Sequence, residues 1–134
     1  MLYWRLFYHI TWGTKNRLAL IEPTWESDLY GYLWDKATAL ECIPHATGGI
    51  PDHIYVVISI PPKVAVAKLI GQLKGASSHH INEKYADGSF AWQAEYGVFS
   101  FSEKALPLIV EYVKNQKKHH AENTLNSQME NLSL

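Results

Sequence analysis

The stretch Gly49-Ile50-Pro51-Asp52-His53-Ile54-Tyr55-Val56-Val57-Ile58-Ser59-Ile60-Pro61-Pro62 decides how the chain is read. From Ile54 the even positions Ile54, Val56, Ile58 and Ile60 are all β-branched, whereas His53, Tyr55, Val57 and Ser59 share the opposite face of an alternating strand. Gly-Ile-Pro-Asp before the strand and Pro-Pro after it are turn signals, because proline cannot donate to a central ladder. One face therefore reads as core, and the other presents a histidine beside a tyrosine. Two polar groups at fixed separation on a strand can hold a metal or a phosphate. The same pattern also suits a histidine that is packed and hydrogen-bonded.

Outward from this strand, residues 42–49 read as a short strand pairing with 53–60 as a hairpin. Residues 3–12 are rich in aromatic and β-branched types and lack proline and glycine, which predicts a first strand. Its mixed face carries Tyr3, Arg5, Phe7, His9 and Thr11. Gly13-Thr14-Lys15-Asn16-Arg17 forms a basic loop suited to a phosphate contact or to a solvated turn. Trp25, Leu29, Leu33 and Ala37 recur at helical spacing after Pro23, and Val64, Val66, Ala67, Ile70, Leu73 and Ala76 do so after Pro61-Pro62. His79 and His80 are adjacent in sequence, do not share a helix face, and read as surface residues. Residues 92–101 contain Tyr96, Val98, Phe99 and Phe101, with Gly97 before the last strand. Ser102 is read as the cap of a final helix running to about His120, with Leu106, Ile109, Val110 and Val113 as its packed stripe. Tyr112 and Gln116 lie at i and i+4 on the flank of that stripe, and Lys114, Lys117 and Lys118 make its end basic.

The order strand, helix, strand, strand, helix, strand, helix predicts an α+β, ferredoxin-like (split βαβ) antiparallel sheet. Its helices lie on one face, with one further helix at the C-terminus, and the other face is expected to stay available to a partner chain or nucleic acid. The chain has 134 residues, 47% of them apolar, which suits one domain over residues 1–121 with a flexible tail over 122–134. A formal net charge of −1 gives no overall basic field, so any nucleic-acid site must be local. One cysteine excludes an intrachain disulfide and a multi-cysteine zinc site, and Cys42 reads as a small core residue. With no apolar run long enough to span a bilayer and no signal-like segment, a cytoplasmic protein without a membrane partner is expected.

Three segments carry a resemblance that covers nearly the whole chain. They are Tyr8-His9-Ile10-Thr11-Trp12-Gly13-Thr14-Lys15-Asn16-Arg17, then Asp52-His53-Ile54-Tyr55, and Tyr96-Gly97-Val98-Phe99-Ser100 leading into Tyr112-Val113-Lys114-Asn115-Gln116. The chain resembles the HUH-class single-tyrosine transposases of bacterial and archaeal insertion sequences, the insertion-sequence-200-like transposases, which act on single-stranded DNA. The resemblance implies that Tyr112 attacks a DNA phosphate to form a 5′-phosphotyrosine link. It implies that His53 and Gln116 hold a divalent metal, Mg²⁺ or Mn²⁺. The family's second metal histidine is replaced by Tyr55; a phenol is a weaker neutral ligand than imidazole, so either Tyr55 coordinates as a phenolate or through water, or another group, with His9 on the first strand preferred, fills the gap, or this copy has decayed. Lys15, Arg17, Lys114, Lys117 and Lys118 are the expected DNA contacts. Hairpin-containing single-stranded DNA and a second copy of the chain, with sites composed from both subunits, are the expected partners. A DNA-binding protein on the same scaffold without strand transfer is the second reading, motivated by Tyr55. An RNA-binding or ligand-sensing ferredoxin-like module is the third.

Overall fold

The computed structural model describes residues 3–116. Within these, β1 (Phe7–Gly13), α1 (Glu26–Ala39), β2 (Ile43–Ile50), β3 (His53–Ser59), α2 (Val66–Ile81), β4 (Gly97–Phe101) and α3 (Leu106–Lys114) follow in chain order. The strands form one sheet in the order β2-β3-β1-β4, with every neighbouring pair antiparallel. This is the split βαβ arrangement expected from the order of elements.

The hairpin reading of β2 and β3 holds, with Gly49 opposite Ile54 and Ile50 opposite His53. The first strand begins later than expected. Residues 3–6 lie outside β1 because its partner β3 stops at Ser59, opposite Phe7, just before Pro61-Pro62, so they find no ladder. The last strand starts at Gly97, as read, and residues 92–96 precede it with a single bridge between Trp92 and Thr14.

α1 and α2 cover one face of the sheet. Ile10, Trp12, Ile54, Val56, Ile58 and Ile60 meet Leu29, Leu33, Leu69, Ile70 and Leu73 there. The second face is not left open. α3 lies over it, and Tyr55, Val57 and Ala46 join Ile109, Tyr112 and Val113 in a second buried cluster. His53, Tyr55, Val57 and Ser59 are therefore all buried, like the even positions of the same strand. The apolar stripe of α3 is too hydrophobic to stay in water, and the only large apolar surface left to it is this sheet face.

The final helix also differs in detail from its expected form. No side-chain cap comes from Ser102; its carbonyl accepts from the Ala105 N–H at 3.0 Å, and residues 103–105 form a single 3₁₀ turn. α3 ends at Lys114, and Asn115 (φ −102°, ψ 26°) breaks the helical path before Gln116. Tyr112 and Gln116 thus do not stand one turn apart on an unbroken helix. Lys117, Lys118 and the expected tail over 122–134 lie outside the described residues.

Candidate active site

β3 starts at His53, and this fixes the site's position. His53 sits opposite Gly13 of β1 and Ile50 of β2, at the sheet end where the β2–β3 turn meets the basic loop after β1. Its ring is buried and both nitrogens are engaged. The Asp52 Oδ1 lies 2.5 Å from Nδ1, Arg17 Nη2 lies 2.9 Å from the same nitrogen, and Nε2 is hydrogen-bonded to the Tyr55 hydroxyl. Arg17 also reaches Asp52 at 3.4 Å.

Tyr55 is fully buried, its ring edge-on to His53 (centroids 5.1 Å apart, 74°) and 5.6 Å from the ring of His9. His9, on β1, stacks on Phe99 of β4 at 4.8 Å. The period-two rule accounts for this grouping: His9 is opposite Val57, so its side chain falls on the same face as Tyr55 and His53. The structure therefore brings His53, Tyr55 and His9 together. Tyr112 belongs to the same buried cluster as Tyr55, and Gln116 is buried just past the end of α3.

α3 approaches this closely because of Gly48, which faces Tyr55 across the β2–β3 ladder. A Cβ on Gly48 would lie 2.9 Å from the carbonyl oxygen of Val113. Beside this contact is a pocket of about 380 Å³, lined by Tyr30, Thr47, Gly48, Gly49 and residues 113–116. Paired glycines inside a strand signal such a close approach, and that signal was available in Thr47-Gly48-Gly49. Asp52 was also missed as a functional residue, although an acidic residue directly before a strand histidine is placed to orient it.

The cations expected to meet DNA divide into three groups. Lys15 and Lys114 are exposed; Arg17 is held against His53 and Asp52; Lys117 and Lys118 lie outside the described residues. The backbone that aims Arg17 is unusual, with Asn16 at φ 56° and Arg17 at φ 54°. A non-glycine residue in this left-handed region costs on the order of 1–2 kcal/mol, and such strain gathers at functional sites. Cys42 takes no part: it is buried on the other face, and burial pushes its thiol up to about 11.

The donor types suit a divalent metal, with the Tyr55 hydroxyl lying against Nε2 of His53 where such an ion would bind. A carboxylate on Nδ1 is the arrangement that leaves Nε2 of a histidine as the ligand atom, and here Asp52 supplies it. Nε2 points at the Tyr55 oxygen, with the ring of His9 beside Tyr55; mixed nitrogen and oxygen donors suit Mg²⁺ or Mn²⁺. Among the described residues no group of three or more His, Cys, Asp or Glu side chains could hold a metal, so the site depends on the neutral oxygens of Tyr55 and Gln116.

The chain is similar to known proteins over most of its length. The chain is 34% identical over 124 residues to the transposase for insertion sequence element IS200 of Salmonella typhimurium, covering 84% of this chain and 78% of that protein. It is 27% identical over 121 residues to the ISDra2 transposase TnpA of Deinococcus radiodurans, covering 84% and 85%. Among solved structures it superposes on an assigned transposase from Deinococcus radiodurans R1 with a TM-score of 0.69 at 26% identity, covering 85% of this chain and 93% of that one. The fold is shared also with the REP-associated tyrosine transposase bound to a REP hairpin, with a TM-score of 0.67 at 15% identity, covering 90% and 74%. No helix among the described residues is long and apolar enough to cross a membrane. Residues 2–116 match the family described as "Transposase IS200 like", and the chain belongs to that family.

Proposed function

We propose that this chain is a DNA transposase that binds single-stranded DNA next to a hairpin and cleaves and rejoins it through Tyr112. The observation that carries the reading is that Tyr112 shares one buried cluster with Tyr55, whose hydroxyl contacts His53, so nucleophile and histidine belong to one sheet face. His53, Gln116 and Tyr55, with His9 beside them, are the residues that would hold Mg²⁺ or Mn²⁺. A bound divalent ion supplies charge neutralisation at the scissile phosphate.

In the reaction the Tyr112 oxygen forms a bond to phosphorus while the bond to the 3′ oxygen breaks. The phenol loses its proton, the departing 3′ oxygen gains one, and the DNA 5′ end is left on the tyrosine. One phosphodiester replaces another, so attack by a 3′-hydroxyl reverses the step without an energy source. The exposed Lys15 and Lys114, with Lys117 and Lys118 further along, are suited to hold phosphates, and the REP-hairpin complex of a protein with the same fold supports a hairpin-bearing substrate. The active form is proposed to be a homodimer. Light scattering at micromolar concentration tests this, and a strictly monomeric species contradicts it.

A second reading is favoured by one contact. The Tyr55 hydroxyl occupies the Nε2 side of His53, where a metal would bind, which suits a DNA-binding protein without strand transfer. Incubation of the protein with Mn²⁺ and a hairpin-flanked single strand, followed by denaturing electrophoresis, separates the two. A covalent adduct that disappears in Tyr112→Phe, with DNA binding retained, supports cleavage by Tyr112. An adduct that persists in the variant moves the nucleophile elsewhere, and no adduct from the wild type leaves the binding-only reading.

A further inference from the structure

The Nδ1 atom of His53 has two neighbours that make opposite demands. Arg17, at 2.9 Å, can only donate a hydrogen bond, and the carboxylate of Asp52, at 2.5 Å, can only accept one. The Nδ1 of a neutral imidazole does one or the other. If it accepts from Arg17, the ring proton is on Nε2 and is donated to the Tyr55 oxygen, so no lone pair faces the site. If it donates to Asp52, the Nε2 lone pair accepts from the Tyr55 hydroxyl, and a metal binds His53 by displacing that hydroxyl from Nε2. Both arrangements carry the same number of protons; only the position of one of them differs.

The place of Arg17 is built rather than incidental. Asn16 and Arg17 both take positive φ values, and a Cβ on Gly13 would lie 2.7 Å from Arg17 Cδ, so glycine there makes room for the arginine stem. The turn is tied to Asp52 itself: the Thr14 N–H donates to the Asp52 carbonyl at 2.9 Å, and the Thr14 hydroxyl lies 3.1 Å from the same oxygen. The Arg17 side chain is nonetheless 41% exposed, whereas that of His53 is 3% exposed. A phosphate arriving from solvent therefore meets Arg17 first, and a guanidinium pairs with phosphate in a bidentate fashion that a ring nitrogen cannot match.

We propose that Arg17 and Asp52 are positioning residues that select the tautomer of His53, and that a DNA phosphate drawing Arg17 off Nδ1 lets the ring proton move from Nε2 to Nδ1, where Asp52 accepts its hydrogen bond and Nε2 is left with the lone pair. Backbone binding by DNA and metal binding at His53 then reinforce one another, each raising the affinity for the other by the same factor. The coupling to metal rests on the function proposed above; the choice of tautomer does not.

The test uses the full chain with ¹⁵N-labelled histidine, reading the His53 tautomer from its two ring nitrogen shifts, assigned by comparison with His53→Gln. Arg17→Met keeps the stem over Gly13 and removes the donor; it shifts His53 toward the Nδ1–H form, and Asp52→Ala shifts it toward the Nε2–H form. A twelve-nucleotide oligothymidylate added to the wild type reproduces the Arg17→Met shift, a measurement that needs no variant to fold. Manganese titration followed by electron paramagnetic resonance then gives about two- to tenfold tighter Mn²⁺ binding to Arg17→Met without DNA, corresponding to a competent tautomer populated at about one-half to one-tenth in the wild type. The oligonucleotide tightens Mn²⁺ binding to the wild type and not to Arg17→Met. A tautomer ratio that is unchanged by both the variants and the oligonucleotide overturns the proposal. Tautomer shifts in the stated directions with no Mn²⁺ bound by any of the proteins uphold the selection by Arg17 and Asp52, and the metal reading fails instead.

Discussion

Gly48→Ala tests whether the docking of α3 is set by a single missing side chain. The added Cβ would lie 2.9 Å from the Val113 carbonyl oxygen and 3.4 Å from Val113 Cγ1. The nearer neighbour is helix backbone, so relief requires α3 to move as a unit, or β2 to bend away from Tyr55. Overpacking of this kind costs about 1–3 kcal/mol. For 134 residues the unfolding entropy near the transition is about 0.28 kcal/mol/K, which converts that cost to a fall in Tm of about 4–11 °C. Gly71→Ala is the matched control: it sits on the exposed side of α2 with nothing within 4 Å of its Cβ. There the better helix propensity of alanine raises Tm by about 2–4 °C, from about 0.5–1 kcal/mol. Differential scanning calorimetry on the two variants reads both signs, and the adduct assay on Gly48→Ala reads whether displacing α3 also displaces Tyr112. A Gly48→Ala protein that melts with the wild type and cleaves at the wild-type rate refutes the close approach and the placement of Tyr112 that depends on it.

Tyr55→His places a second imidazole beside His53 and removes ring volume from the cluster shared with Tyr112, so Mn²⁺ affinity and cleavage rise while stability falls by about 1–3 kcal/mol. Isothermal titration with Mn²⁺ checks it, and a lower Tm with unchanged affinity and cleavage shows that Tyr55 only packs. On the far side of the molecule, Asp28 accepts from the Tyr85 hydroxyl and also pairs with His80 and with Lys84 at 3.0 Å, which together hold its carboxyl well below the usual carboxylate range. A depressed folded-state value stabilises the protein above the unfolded carboxyl value of about 4, and the effect is lost as pH falls below it. Asp28→Asn is therefore less stable than the wild type at pH 7, and the gap between urea melts of the two proteins narrows as the pH falls from about 4 towards about 2; a gap that does not narrow contradicts the assignment.

Period-two alternation in 53–60, helical spacing after Pro23 and after Pro61-Pro62, and turn residues between them sufficed for the order of elements and the antiparallel plan, because these signals are local and do not depend on what packs where. The same alternation placed His53 and Tyr55 on one face of their strand, and the β1–β3 register, with His9 opposite Val57, brings His9 to that face. Strand ends were less legible, since a ladder stops where its partner stops, and residues 3–6 have none. That α3 closes over the second face was decided by tertiary packing: its stripe reads as amphipathic whichever apolar surface it meets, and the surface was chosen by the cradle at Gly48. The demands of Arg17 and Asp52 on one nitrogen of His53 were likewise invisible along the chain. Arg17 and His53 are 36 residues apart, and they meet only because antiparallel pairing sets Gly13 opposite His53 and two left-handed residues turn the loop back upon it.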